Sequence, residues 1–331
     1  MVLFYIIKDN FFYFMSLIVL YIIFTFPINY YIVVGGGCSD VSSRIHVEDA
    51  YKSKGSLNIS YVTELKGTVI TYLLSYIVPT WESLDANDYK YDDKESIDDI
   101  EFRSDLDLIS ANGKATYWAY TLADRSLSLK VNDLYIISVY SKYDTSLKIK
   151  DKIISIDGKK FDSVKEYREY IQTKNVGDTV LVKVIRNKKE EDIKAPIYKY
   201  ENTKVLGIAL EYVREYDTSP KVDIKFRSSE SGPSGGLIST LEIYNQLTKK
   251  DITKGYKIAG TGTIEEDGSI GQIGGVEHKL LGAVSDKSDI FLVPSGRNYK
   301  QAMKYKKKNK LKIKIIAVKT INDAIEKLEE L

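Results

Sequence analysis

The chain has 331 residues, of which 44% are hydrophobic and 28% are charged. This composition is that of a globular protein and excludes a disordered one, and the length leaves room for two small domains and an anchor. The formal net charge is +2, and the only basic block lies at residues 304–314. A nucleic-acid partner is therefore not expected, because such proteins carry extended basic surfaces.

Residue counts also limit the kind of site. Cys38 is the single cysteine, so an internal disulfide and a cysteine-based zinc site are excluded. His46 and His278 are the only histidines, too few for a histidine-rich metal site. No Gly-x-x-x-x-Gly-Lys-Ser/Thr occurs, so the sequence lacks this phosphate-binding loop. We expect no metal, no cofactor and no nucleotide partner.

The N-terminal segment predicts a membrane anchor. After a stub of residues 1–10, residues 11–34 contain no charge and are dominated by aliphatic and aromatic side chains. A run above about 18–20 such residues spans a bilayer, whereas a signal-peptide core is shorter. Cys38 follows three glycines, as in a lipoprotein cleavage site, but lacks the usual aliphatic residue three positions earlier. A plain linker cysteine is favoured over lipidation.

The orientation of this anchor is ambiguous from charge alone. Lys8 precedes the span, whereas Arg44, Lys52 and Lys54 follow it. The positive-inside rule thus favours a cytoplasmic C-terminal part. Long C-terminal domains are translocated largely regardless of this count, so the opposite orientation stays open.

Residues 35–125 form a juxtamembrane region of uncertain fold. Residues 68–78 are apolar enough for a buried strand, and residues 97–123 show helical spacing with an acidic first turn. Neither segment carries chemistry that we can assign.

Residues 126–199 change to short strands. We predict a strand at 134–139, a strand and an Asp157-Gly158 turn within 147–161, an amphipathic helix at 163–173 and an alternating strand within 177–187. The sequence Lys-Ile-Ile-Ser-Ile-Asp-Gly at 152–158 and the later Gly-Asp-Thr-Val resemble a PDZ domain of the bacterial protease type.

This resemblance implies a peptide-binding groove. PDZ domains add an extended peptide as a strand at an exposed sheet edge. The expected edge is residues 134–139, and the carboxylate loop is residues 131–133. The groove residues would be Val131, Asn132, Asp133, Leu134, Tyr135 and Ile136. A small β-domain that serves only as a spacer is the alternative.

Ser234 is the first candidate for chemistry. It lies among small residues in Ser-Gly-Pro-Ser-Gly-Gly, and apolar residues then recur at three- and four-residue steps. This pattern predicts a helix starting near Ser234. Unpaired N–H groups and the positive end of the dipole at such a helix start can hold an oxyanion. A serine that merely caps the helix after a Gly-Pro turn is the alternative.

Lys279 lies in a second glycine-rich run, Gly274-Gly275-Val-Glu-His-Lys. A helix beginning after Gly275 would put Lys279 in its first or second turn, where the helix dipole does not favour a positive charge. Residues 259–264, Ala-Gly-Thr-Gly-Thr-Ile, precede this run. A lone lysine on a helix is ordinarily solvated, so the spacing alone does not decide its role.

Residues 200–331 resemble the proteolytic domain of the Lon peptidase family. That family carries Gly-Pro-Ser-Ala-Gly, then Thr-Gly, then Gly-Gly-x-x-x-Lys, in this order. The resemblance implies that Ser234 is the nucleophile, Lys279 its base and Thr261 a hydroxyl near the lysine amine. Two positions depart from the pattern: Gly235 replaces alanine, and Ser231 stands where ATP-driven relatives often have aspartate.

The order of anchor, PDZ domain and Lon-type domain resembles the membrane-anchored, PDZ-containing Lon-like proteases of Gram-positive bacteria. The resemblance implies an α+β multidomain fold with a transmembrane helix, and an ATP-independent serine endopeptidase outside the cytoplasmic membrane. Its partners would be peptide or protein substrates recruited by the PDZ domain, and family members often form homo-oligomeric rings. A catalytically silent, membrane-tethered PDZ scaffold is the alternative.

The expected mechanism follows from acid–base chemistry. Serine is a poor nucleophile without a base, and lysine becomes a base when burial disfavours its ammonium form. The residues of the oxyanion turn would be Gly232, Pro233 and Gly235. His278 offers a rival base, but neighbouring helical residues point about 100° apart, so it cannot face Ser234 together with Lys279.

Overall fold

The computed structural model describes residues 10–331. Lys8 and the predicted stub, apart from its last residue, lie outside the described residues. The chain forms two compact units. The smaller unit ends its first segment at Gly36 and continues with Val62–Lys90, and the larger unit comprises Gly37–Tyr61 and Tyr91–Leu331.

Among the described residues, the smaller unit contains two α-helices, one whole strand and parts of two others. Helix α1 is Phe11–Thr25, and strand β1 begins at Pro27 and ends at Asp40. Strand β4 (Glu82–Asp85) pairs antiparallel with β1, with Tyr30 opposite Asp85. Strand β3 (Ser56–Thr68) ends where helix α2 (Val69–Ser75) begins.

The structure differs from two predictions in this unit. The predicted strand at 68–78 is mainly helical, because Thr68 and Thr71 form a reciprocal capping box that starts α2. The predicted span of residues 11–34 is helical only as far as Thr25, and residues from Pro27 belong to β1. Across residues 10–331, every helix is too short or too polar to cross a membrane.

The larger unit is built on a sheet with the strand order β17-β16-β13-β3-β1. Three of these strands are Lys257–Gly260 (β13), Ile290–Pro294 (β16) and Lys314–Val318 (β17). They run parallel to one another, and β3 lies parallel to β13 with Leu57 opposite Ile258. Strand β16 is buried along its whole length, as expected of a parallel strand covered on both faces.

Five helices belong to this unit besides the one in the PDZ-like segment. They are α3 (Ile97–Leu122), α5 (Gly236–Leu247), α6 (Val276–Ser285), α7 (Arg297–Asn309) and α8 (Ile321–Glu329). Helix α3 begins where the prediction of residues 97–123 begins and ends one residue earlier, and Ser96 and Asp99 form its capping box. The short strands β2 (Ile45–Val47) and β12 (Val222–Ile224) pair with each other, and β14 (Thr263–Ile264) pairs with β15 (Ile270–Gly271).

Residues 35–125 therefore do not form a separate region before the catalytic part. One hydrophobic cluster contains Val41 and Leu57 from this region, Tyr120 of α3 and Leu241 of α5. The predicted boundary at residue 200 cuts through this core. The correction has a simple physical reason, since β13 needs a partner on each side and β3 supplies one of them.

A second sheet has the strand order β11-β5-β6-β7-β8. Its strands are Ser126–Val139 (β5), Lys152–Ile156 (β6), Thr179–Arg186 (β7), Lys189–Pro196 (β8) and Ile208–Ser219 (β11). Helix α4 (Val164–Gln172) packs Tyr167 and Ile171 into its core. A separate ribbon joins β9 (Tyr198–Tyr200) to β10 (Thr203–Val205).

Strand β5 is an interior strand, so the predicted exposed edge at residues 134–139 is wrong. One side pairs with β6, where Leu134 lies opposite Ile153. The other side pairs antiparallel with β11, from Val139 opposite Ile208 to Ser126 opposite Ser219. Strand β11, which follows the PDZ-like segment in the chain, fills the edge at which a peptide was expected.

Candidate active site

Ser234 lies in the turn that leads into helix α5. Its carbonyl oxygen accepts the N–H of Gly262 at 2.8 Å and the hydroxyl of Thr261 at 3.2 Å. In return, the N–H of Leu237 donates to the carbonyl of Gly262 at 3.0 Å. The turn is therefore fastened to the segment that directly follows strand β13, and Ser234 is only partly buried.

Lys279 reaches this turn from helix α6. The helix begins at Val276 after Gly275, whose φ of 63° is a left-handed conformation that glycine adopts without strain. Val276 and Leu280 of the same helix are buried, and Lys279 itself is only 4% exposed. Its Nζ donates to Ser234 Oγ at 2.8 Å and to Thr261 Oγ1 at 3.2 Å.

Thr261 connects the two groups. Its hydroxyl oxygen accepts from Lys279, and its hydroxyl proton is directed at the Ser234 carbonyl. Thr261 is fully buried, and its N–H donates to Leu292 of β16 at 3.1 Å. The structure thus brings together all three residues that the sequence nominated for chemistry. The contact with Ser234 Oγ comes from the amine of Lys279.

The predicted oxyanion turn needs a correction at two of its three residues. The N–H of Gly232 donates to the carbonyl oxygen of Ser104 at 2.8 Å, and Pro233 has no N–H to donate. Gly235 is the N-cap of α5 and offers no side-chain cap to the helix start. Gly235 and the backbone of Ser234 therefore remain as candidate donors at the positive end of the helix dipole.

Gly236 allows α5 to approach the strand that follows Thr261. A Cβ atom at this position would lie 2.9 Å from the backbone nitrogen of Ile264, closer than real Cβ atoms come to backbone. At Gly235, where the family pattern has alanine, a Cβ would meet only the flexible end of Ile59 at 2.9 Å. The glycine at 236 is therefore the stricter requirement for placing Ser234.

Sequence analysis missed three residues around the nucleophile turn. The carbonyl of Ser104 in α3 holds Gly232, and Arg44 forms an ion pair of 2.6 Å with Glu230. The Arg44–Glu230 contact joins residues 186 positions apart, and the Ser104 contact uses the backbone alone. No motif or periodicity in a single sequence carries a signal for either contact.

The predicted carboxylate loop of the PDZ-like segment is not open either. Val131 and Asn132 pair with Glu215 and Arg214 of β11. Asp133 forms an ion pair with Lys152 at 2.9 Å, and Asn132 Oδ1 accepts from Arg214 Nε at 3.1 Å. Of the other predicted groove residues, Leu134 and Ile136 are buried core side chains, and Tyr135 packs its ring near Phe102.

Two parts of the chain match known families. Residues 121–197 match the PDZ domain family, and residues 215–330 match the Lon protease (S16) C-terminal proteolytic domain. Lon proteases from Desulfatibacillum aliphaticivorans and Neorickettsia sennetsu are 30% and 32% identical to the chain over 98 residues. The match covers 30% of this chain and only 12% of each relative.

Solved PDZ domains also align with the chain. The PDZ domain of the SdrC-like protein of Listeria monocytogenes is 30% identical, with a TM-score of 0.23, and covers 25% of this chain and 92% of that one. Its counterpart from Listeria innocua is 32% identical, with the same TM-score of 0.23, and covers 24% of this chain and 92% of that one.

Proposed function

We propose that this chain, which carries a PDZ domain and a Lon-type proteolytic domain, is a serine endopeptidase with a Ser234–Lys279 dyad. The observation that carries the proposal is the contact of 2.8 Å between Lys279 Nζ and Ser234 Oγ. A nucleophile and its base must lie within this range for direct proton transfer.

The first step is the attack of Ser234 Oγ on the scissile carbonyl carbon. Unprotonated Lys279 accepts the hydroxyl proton as the C–O bond forms, and the carbonyl π electrons move to its oxygen. Lys279 is buried, with 4% of the residue exposed, and burial disfavours the ammonium form in which lysine cannot act as a base. Thr261 keeps the amine directed at Oγ by accepting one of its N–H bonds.

The later steps reuse the same groups. The N–H groups of Ser234 and Gly235 would stabilise the oxyanion, aided by the positive end of α5. Collapse of this intermediate breaks the C–N bond, and Lys279 returns its proton to the leaving amine. A water molecule then attacks the acyl-enzyme with Lys279 again as base, which releases the peptide acid and restores Ser234.

Single substitutions test this assignment on an unfolded protein such as casein, assayed without nucleotide. Ser234→Ala and Lys279→Ala should each reduce turnover to background, because neither group works alone. Lys279→Arg should also be inactive, since arginine keeps its proton. If Lys279→Ala kept full activity and His278→Ala lost it, His278 and not Lys279 would be the catalytic base. Unchanged folding is checked by near-UV circular dichroism.

We also propose that the apolar segment around α1 attaches the protein to the cytoplasmic membrane, with the larger unit on the outer side. Support comes from its exposed apolar side chains, with Phe12 86% and Tyr21 69% exposed. The protein should stay with membranes in alkaline carbonate, and protease added to intact spheroplasts should digest the larger unit. Digestion of the larger unit only after lysis would indicate the opposite orientation, with the larger unit on the cytoplasmic side.

A further inference from the structure

The loop that precedes Ser234 is held by a buried arginine from a distant part of the sequence. Arg44 lies just before strand β2 and is 8% exposed. Its Nη2 contacts Glu230 Oε1 at 2.6 Å, and its Nε donates to the two oxygens of the same carboxylate at 2.9 and 3.2 Å. This fork geometry fixes direction as well as distance, which a lysine could not do.

Arg44 holds the loop at a second point. Its carbonyl oxygen accepts the N–H of Lys225 at 2.8 Å, five residues before Glu230. The remaining guanidinium nitrogen, Nη1, donates to Ser39 Oγ at 2.8 Å and to the Asp40 carbonyl at 3.2 Å. The arginine is thus anchored on its own side, and the start and end of the segment 225–230 are both fastened to it.

Glu230 closes the loop from the other side. Its Oε2 accepts the N–H of Arg227 at 2.7 Å, so one carboxylate binds both the guanidinium and the loop backbone. Burial acts to raise the pKa of Glu230, but Arg44 and the Arg227 N–H outweigh it and hold the pKa below its usual value. The carboxylate is therefore charged at neutral pH, which the pairing with Arg44 requires.

We propose that Arg44 and Glu230 are positioning residues that set the distance between Ser234 Oγ and Lys279 Nζ, an inference that rests on the proposed peptidase function. Glu230 lies four residues before Ser234, and the intervening Gly232 is held by Ser104. Lys279 is placed independently by helix α6. Movement of the nucleophile loop would therefore change the separation of the two reacting groups.

The expected signature is a loss in kcat without a matching change in KM. Displacement of a reacting group by about 1 Å can cost about 10²-fold in rate. Arg44→Gln and Glu230→Gln should each lower kcat by about 10- to 10²-fold. KM should stay within about twofold, because neither residue binds substrate in this proposal. The rate at which a fluorophosphonate probe labels Ser234 should fall by the same factor.

A matched control is available in the second sheet. Arg186 pairs with Asp151 at 2.7 Å, with side-chain exposures of 14% and 1%. Arg186 is about as buried as Arg44, and its acidic partner is more buried than Glu230. Arg186→Gln therefore disrupts an ion pair away from the nucleophile loop and should leave kcat and the labelling rate unchanged. Each assay is run well below the melting temperature of the variant concerned, so that unfolding does not contribute.

The double variant Arg44→Gln/Glu230→Gln gives a second readout. If the two residues act only through their mutual ion pair, the double variant should lose no more kcat than the worse single variant. Folded single variants with wild-type kcat and labelling rate would overturn the proposal, as would losses that multiply in the double variant. If Arg44→Gln fails to fold, Glu230→Gln alone decides by the same kcat criterion.

Failure of the proposed function itself would look different. A wild-type protein whose Ser234 is labelled but which cleaves no peptide would reject the peptidase function, and the labelling rates would still judge the positioning role. A wild-type protein that is neither labelled nor active would reject both.

Discussion

Lys279 shares its buried amine between two hydroxyl groups, and this sharing determines what Thr261 contributes. Thr261 Oγ1 accepts from the amine at 3.2 Å and donates to the Ser234 carbonyl at 3.2 Å. A methyl group in place of this hydroxyl would keep the volume but remove both contacts. The amine would then lose the acceptor that directs it towards Ser234.

Thr261→Val should therefore lower kcat by about 10- to 10²-fold, by analogy with other losses of orientation at a catalytic base. KM should change little, because the fully buried side chain is not available to substrate. Steady-state kinetics on a fluorogenic peptide measures both constants. Thr261→Ser keeps the hydroxyl and serves as the control. If valine and serine lower kcat equally, packing and not hydrogen bonding explains the effect.

At the scale of residues, motifs predicted Ser234, Thr261 and Lys279 because their chemistry demands fixed residue types in a fixed order. Arg44 was not predictable, since its partner lies 186 positions away and an arginine after two serines is unremarkable in composition. The oxyanion residues were predicted only in part. Glycine and proline signalled a turn, but the sequence does not tell that the Gly232 N–H is already used.

At the scale of elements, helix α5 carries an ionisable group inside the core. Glu242 is 5% exposed and accepts the side-chain amide of Gln246 at 2.7 Å. Burial raises its pKa to about 7, with smaller contributions from Asp40 and Asp251 that raise it and from Gln246 that lowers it. The same helix begins two residues after Ser234, so its stability bears on the site.

Glu242 should make the protein less stable as the pH rises. Its pKa is higher in the folded protein, so the folded state binds the proton more tightly. The stabilising effect of that proton is complete below the unfolded pKa near 4.5 and is lost by about pH 7. Glu242→Gln should abolish this decrease in the free energy of unfolding, which amounts to about 3 kcal/mol at most.

Urea unfolding at pH 5, 6, 7 and 8 tests this expectation. The gain in unfolding free energy from Glu242→Gln should grow with pH and level off above pH 7. Glu326→Gln, at an exposed position of α8, is the control for a lost carboxylate. A gain that is the same at every pH would mean that Glu242 does not titrate differently in the two states.

Elements with their own start signals were predictable, as α3 and α4 show. Ser96 caps α3 and Ser163 caps α4, and apolar residues recur at helical spacing after both. The position of β5 within its sheet was not predictable, because its second partner, β11, lies beyond the rest of the PDZ-like segment. An alternating pattern describes the faces of a strand and says nothing about its edges.

At the scale of the larger unit, β11 belongs to both functional parts. It pairs with β5 in the second sheet, and it is followed directly by β12 and the nucleophile loop. Helix α3 covers the same strands, where Leu106 packs with Ile137 and Val213. In the same helix, the carbonyl oxygen of Ser104 accepts the N–H of Gly232, which lies in the nucleophile loop.

Deletion of residues 126–199 should therefore abolish cleavage of long and short substrates alike. It removes the partner strand of β11 and exposes Val213 and Tyr212, which are 7% and 5% exposed in the intact protein. The truncated protein should also melt at a lower temperature. Activity on casein, activity on a fluorogenic peptide and thermal melting are compared in one preparation.

A Gly-Ser insertion after Asn187, in the turn between β7 and β8, is the control. It perturbs the same sheet at the edge opposite β11 and should leave both activities intact. A deletion variant that still cleaves the short peptide at the wild-type rate would show that β11 does not need β5.

The parallel pairing of β3 with β13 has a consequence for synthesis. Asn58 donates its side-chain amide to Ile258, 200 positions later, so the central sheet cannot close until most of the chain has left the ribosome. At about 5–20 residues per second, β3 waits on the order of 10–40 s for its partner. Lys279 is made later still. A nascent chain therefore holds Ser234 without its base, and the peptidase that we propose would be inert towards its own unfolded segments while they are most exposed.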